Sequence, residues 1–123
     1  MIMPYDWYEY LVFARNLHKN PEFLKCVCKE ETIGRNIVSR AYYAAFHHAK
    51  IYAETQGRIK FPEEGTHRAV KNWFKDNRKF AMWNDLRELS NWRDDCDYKD
   101  EVSNLDSLVI KSVKGAERFH HYH

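Results

Sequence analysis

From residue 35 to residue 56 the chain carries neither glycine nor proline. Apolar side chains recur there at helical spacing, in two stripes rather than one. Val38, Tyr42, Ala45, Ala49 and Tyr52 form the first; Ile37, Ala41, Ala44, His48 and Ile51 form the second. A helix apolar on more than one side needs partners on more than one side. Ala41, Ala44, Ala45 and Ala49 let those partners approach closely. The pattern predicts a central helix over about residues 32–56, with Gly34 as a weak spot or kink and Gly57 as its stop. The whole chain has only 4 Gly and 3 Pro in 123 residues. Sandwiches and barrels need a turn every ~8–12 residues, so this scarcity argues against them and for an all-α domain.

The remaining segments follow the same period. Asp6 is placed to cap a helix over about 6–18, with Trp7, Tyr10, Leu11, Ala14 and Leu17 inward. Pro21 starts a short helical piece, with Phe23, Leu24 and Val27 on its apolar side. After a loop at 57–65, Thr66 is the expected N-cap of a helix over about 67–77, with Ala69, Val70, Trp73 and Phe74 inward. A further helix spans about 80–98, with a stripe of Met82, Leu86, Leu89, Arg93 and Cys96. The last runs from about 101 to 120, with Val102, Leu105, Val109, Val113 and Ala116 inward. No repeat or linker interrupts the pattern. The expected architecture is all-α: a single domain over 1–123, an up-and-down helical bundle of about five helices.

Several function classes lose support at this point. No apolar run reaches the ~18 residues of a membrane span. The opening MIMPYDWYEY lacks a basic region before an apolar core, so no signal peptide is expected. Three cysteines (Cys26, Cys28, Cys96) suit reduced thiols and a cytoplasmic location. Cys26-x-Cys28 is too sparse for zinc, and the only Glu-x-x-His, Glu64 to His67, falls in a loop. No metal or cofactor is expected. A phosphate loop, a Gly-x-Ser-x-Gly elbow and a His-Glu-x-x-His motif are all missing. Arg40 and His47 lie two turns apart on one helix face, a spacing read as coincidence.

Charge is uneven although the net value is only +2. Residues 58–79 sum to +4 and residues 85–106 to −5. Either these are two solvated faces that pair with each other, or the basic one serves a polyanion or a second copy. Arg93 is the most informative position, because it shares an apolar stripe with Leu86 and Leu89. A guanidinium there needs partners, and Asp97, one turn on, is placed to accept from it. The pair either pins the helix end or orients Arg93 to hold phosphate. Among the histidines, His47 falls on the more polar side of the central helix and His48 in an apolar stripe. His67 stands at a helix N-terminus, where a neutral ring is favoured. His120, His121 and His123 form a tail without an organised site.

Three blocks carry a family resemblance. They are Ser39-Arg40-Ala41-Tyr42-Tyr43-Ala44-Ala45-Phe46-His47-His48-Ala49, Thr66-His67-Arg68-Ala69-Val70-Lys71-Asn72-Trp73-Phe74, and Leu86 through Arg93-Asp94-Asp95-Cys96-Asp97-Tyr98. In order and spacing they resemble the HEPN domain superfamily, above all its small standalone prokaryotic members. The blocks span residues 39–98. The resemblance implies a helical bundle that forms a homodimer, with RNA or a nucleotide as ligand. It also implies a toxin–antitoxin, anti-phage or RNA-processing setting. Active members resemble metal-independent endoribonucleases that pair an Arg and a polar residue with a His a few residues later. By this likeness Arg93, Asp94 and Tyr98 take the catalytic positions, and Asp97 orients Arg93.

The departure lies at Tyr98, where the family pattern has His. A phenol is protonated at neutral pH and is a poor general base. It still donates a hydrogen bond to a phosphate oxygen. The leading expectation is therefore an RNA- or nucleotide-binding domain with weak or no catalysis. In it Arg93, with Arg68, Lys71 and Lys75 of the basic helix, contacts phosphate. One alternative is a metal-independent endoribonuclease using Arg93 with Tyr98, or with His47 or His48. A second is a non-catalytic partner of a nucleotidyltransferase, binding through the acidic 85–106 face.

Overall fold

A computed structural model describes residues 5–25 and 29–122, without the side chain of Phe23. The expectations for Val27, the Cys26–Cys28 pair, His123 and the Phe23 side chain lie outside the described residues. Among those described, the chain is all helix and turn. Its elements are α1 (Tyr8–Lys19), the single turn α2 (Glu22–Lys25), α3 (Glu30–Gly57), α4 (Thr66–Asp76), α5 (Phe80–Tyr98) and α6 (Leu105–His120). The small helical bundle expected from the periodicity is thus observed, with five long helices and one short turn.

Helix α3 is the central element and packs against α1, α4, α5 and α6. Its five alanines are fully buried, as are Val38 and Tyr42. The helix runs through Gly34 without a break. A Cβ at Gly34 would lie 3.1 Å from Leu105 Cδ2, so the missing side chain lets α6 approach α3 closely. At the other end the left-handed cap is Arg58 (φ 52°), not Gly57. Gly57 is used for proximity instead, since a Cβ there would meet Trp73 Nε1 at 2.8 Å.

Ile51 was expected inward and is 53% exposed. The reason is the length of the neighbours. Trp7, at the start of α1, stacks on His47, and His120, at the end of α6, lies against His48. Both partners run out at that level, and Ile51 is one turn beyond them. His47 is accordingly not on a polar side, but covered by the Trp7 indole at 3.5 Å between ring centroids. Arg40 lies over the Tyr10 ring, so the Arg40–His47 spacing serves packing against α1.

Two helix starts also differ from expectation. Gly65, in the left-handed region (φ 70°), is the N-cap of α4. The Thr66 hydroxyl donates back to the carbonyls of Pro62 and Glu63 rather than receiving a helix N–H. Helix α6 begins at Leu105, not 101. The carbonyls of Lys99 and Asp100 are drawn instead to the Arg35 guanidinium, at 2.6 and 2.8 Å. Arg35 also donates to the carbonyl of Cys96 at 2.9 Å. One cation from α3 thereby caps the C-terminus of α5, where the helix dipole favours positive charge. The N-cap of α1 is Trp7, not Asp6, although the Asp6 side chain, one residue earlier, accepts from the Tyr8 N–H at 3.1 Å.

The other end of α5 is tied by a buried carboxylate. Asp85 accepts from Arg118 Nε at 3.0 Å, from Arg118 Nη2 at 2.8 Å and from the Tyr122 hydroxyl at 2.6 Å. The Asp85 side chain is 8% exposed and that of Arg118 54%. The two partners are thus unequal. Arg118→Ala leaves a buried carboxylate with a single phenol, which should cost about 3 kcal/mol. Asp85→Ala frees a guanidinium that water can reach, so its cost should be smaller. Urea unfolding of the two variants should rank them in that order, and the reverse ranking would refute the assignment.

Candidate phosphate-binding site

Arg93 lies in the penultimate turn of α5, whose inward stripe turns its side chain toward α3. That side chain is 12% exposed. Its guanidinium lies over three phenol rings, with Cζ 4.9 Å from the Tyr42 centroid, 5.5 Å from Tyr43 and 5.9 Å from Tyr98. Asp94 meets Nη2 at 3.3 Å and Asp97 meets Nη1 at 3.6 Å. The predicted Arg93–Asp97 pair therefore forms, and Asp94 adds to it. Burial opposes the Arg93 charge, but Tyr43, Asp94, Tyr42 and Asp97 outweigh it and hold the group above its ordinary value. Nε is buried with no hydrogen-bond partner. The group is neither loose in water nor sealed away.

Helix α4 supplies the other half of the site; the sequence reading named its Lys71 but missed His67, and Ser90 of α5. Helices α4 and α5 run antiparallel, so His67 comes beside Arg93, Lys71 beside Ser90 and Lys75 beside Trp83. His67 Nδ1 is hydrogen-bonded to the Tyr42 hydroxyl, and its ring stacks on Phe46 at 4.0 Å. Tyr42 is fully buried. Burial pushes its phenol up to about 12, against hydrogen bonds from Ser90 and Arg93. Lys71 Nζ donates to Ser90 Oγ at 3.3 Å. Burial lowers the His67 pKa, and the Arg93 and Lys71 charges lower it further. A signal existed: Ser90 is a polar residue in the inward stripe one turn before Arg93, and His67 stands near the start of the second resemblance block, on α4.

The structure thus gathers Arg93, Asp94, Asp97, Tyr98 and, through Ser90, Lys71. Lys75 is one turn away with its ammonium over the Trp83 ring at 5.5 Å, and Arg68 is exposed on α4. Neither central-helix histidine joins this group. His48 is directed at Phe119 and His120 of α6, and His47 is under Trp7. Among the described residues no ion pair joins the basic 58–79 segment to the acidic 85–106 segment. The expected mutual pairing of these two faces is therefore not what occupies the α4 cations. Among the described residues no cluster of three or more His, Cys, Asp or Glu could hold a metal, and no helix is long and apolar enough to cross a membrane. No protein-family model, curated protein or solved structure matches the chain.

The covered imidazoles make stability depend on pH. Burial, with Lys50 and His67 charge, lowers His47 to about 4, and burial with the neighbouring His48 lowers His120 to about 4. Each contributes stability that is fully present above the unfolded value of about 6.5 and lost as pH falls toward 4. Urea midpoints should therefore fall between pH 7 and pH 5, and His47→Gln should flatten that fall. An unchanged pH slope in the variant would show that His47 is not a buried neutral ring.

Proposed function

We propose that this chain is a HEPN-type domain that binds RNA or a nucleotide phosphate at Arg93, without efficient cleavage of its own. The observation that carries the reading is the mostly buried Arg93 guanidinium, held over Tyr42 and Tyr43 and flanked from α4 by Lys71 and His67. A guanidinium whose orientation is fixed in advance loses little entropy on meeting phosphate. Support also comes from the three resemblance blocks, which meet here. The first supplies Tyr42, Tyr43 and Phe46; the second supplies His67 and Lys71; the third supplies Ser90 and Arg93. From this point the cations of α4 continue down the α4–α5 seam through Lys75, with Arg68 on the outer face. In this reading the domain is a cytoplasmic homodimer working in a toxin–antitoxin or anti-phage setting.

Binding is favoured over catalysis because neither candidate base is free to act: His67 Nδ1 is engaged by the Tyr42 hydroxyl, and a phenol, Tyr98, stands where the resembled family has His. Labelled RNA incubated with the protein in EDTA should stay intact over hours. Cleavage that disappears in both Arg93→Ala and His67→Ala would reverse this and favour the endoribonuclease alternative.

The binding itself has a salt signature. Each phosphate neutralised on a single strand contributes a slope of about −0.7 in log K against log salt. Arg93→Ala should abolish most of the affinity. Lys75→Ala should weaken binding modestly and make the slope shallower by about 0.7. Fluorescence anisotropy across a salt series reads both. Salt-independent binding, or wild-type affinity in Arg93→Ala, would remove the proposal.

A further inference from the structure

Among the described residues Tyr98 is the most exposed large hydrophobic, at 76%, although it ends a helix whose C-terminus is held from α3. The backbone on both sides of it is held by Arg35, which receives the carbonyls of Cys96, Lys99 and Asp100. The Lys99–Asp95 ion pair at 2.9 Å adds to this. A ring left in water by a loose chain end needs no explanation. Here the point of attachment is fixed from another helix, and the ring is still presented outward. Its centroid is 5.9 Å from the Arg93 guanidinium carbon. A cation for phosphate and an open aromatic face therefore stand within the reach of one nucleotide.

We infer that Tyr98 is a stacking platform for an unpaired base, and that the polymer taken at Arg93 is single-stranded RNA. This rests on the phosphate-binding reading of Arg93 above. Base-on-ring stacking needs a base whose face is free, which a duplex does not offer along its length. In a duplex only the phosphates reach Arg93 and the α4 cations, and Tyr98 has nothing to cover. In a single strand the base attached to the Arg93-bound phosphate lies against the ring, and the nucleotides that follow run along Lys71 and Lys75. Stacking of this kind tolerates any base, because every base has a π-face. The role of Tyr98 is then to select strand state, and proton transfer is not required of it.

The test uses a fluorescein-labelled single-stranded RNA and the same strand annealed to its complement, with anisotropy as readout. The wild type should prefer the single strand. Tyr98→Ala should weaken single-strand binding on the order of ten-fold and duplex binding by clearly less, so that the preference collapses. Tyr98→Trp should retain the preference. Since the ring is exposed, all three proteins should share one melting temperature. Equal wild-type affinity for both forms, or a Tyr98→Ala variant that binds the single strand as wild type does, overturns the inference. The same holds if Tyr98→Ala weakens both forms alike. The underlying reading fails differently: then neither form binds, or Arg93→Ala binds as wild type does. Loss in Arg93→Ala with no loss in Tyr98→Ala would sink the stacking platform alone.

Discussion

Removing a guanidinium from water is costly unless something replaces the water, and in this fold the replacement decides how two helices meet. Arg93 is compensated from three directions. The faces of Tyr42 and Tyr43 come from α3, and the carboxylates of Asp94 and Asp97 from its own helix. The third direction is Tyr42 oxygen, which carries the interaction on to His67 of α4. None of these helices can shift without exposing or stranding the charge. The close packing that the α3 alanines permit thus has a polar counterpart, which fixes α4 and α5 in register on the same side of α3.

The two ends of α5 are secured by different chemistry, and both devices act in favour of this site. At the N-terminal end, Asp85 is buried and takes hydrogen bonds from Arg118 and Tyr122, which ties α5 to the end of α6. At the C-terminal end, Arg35 gathers three carbonyls, which ends the helix and keeps 99–104 from continuing it. A helix fixed at both ends holds Arg93 at a constant depth. The site is therefore pre-formed by interactions that do not touch it, which lowers the ordering cost of taking a ligand.

What the sequence made legible is what periodicity controls. The five long helices, the buried stripes of α3 and the inward placement of Arg93 all follow from spacing within one helix. The Arg93–Asp97 pair was visible for the same reason, being local. Most of the misreadings concern what lies outside the helix being read. Ile51 has the right spacing for the core, but nothing in α3 records where α1 and α6 end. Thr66 has the right chemistry for an N-cap, yet Pro62 and Glu63 in the preceding loop compete for its hydroxyl. Arg35 looks like any surface cation in α3 until α5 brings three carbonyls to it. His67 was placed correctly at a helix start, but its partner Tyr42 lies 25 residues earlier, and only the packing of α4 on α3 joins them.

The cations that α4 brings to Arg93 explain how a site with two carboxylates still suits an anion. Asp94 and Asp97 balance the charges of Arg93 and Lys71, so net charge alone gives phosphate no welcome here. Direction does. The carboxylates approach Arg93 from α5, at Nη2 and Nη1. The Lys71 ammonium comes from α4 and donates to Ser90 Oγ at 3.3 Å, and His67, also of α4, is tied to the buried Tyr42 hydroxyl. Cations therefore reach the site from two helices, while both carboxylates come from one. An arrangement of this kind discriminates by geometry, and it needs no protonation of His67 to do so. Charge from the imidazole would in fact work against it, since burial and the Arg93 and Lys71 charges already disfavour a third cation.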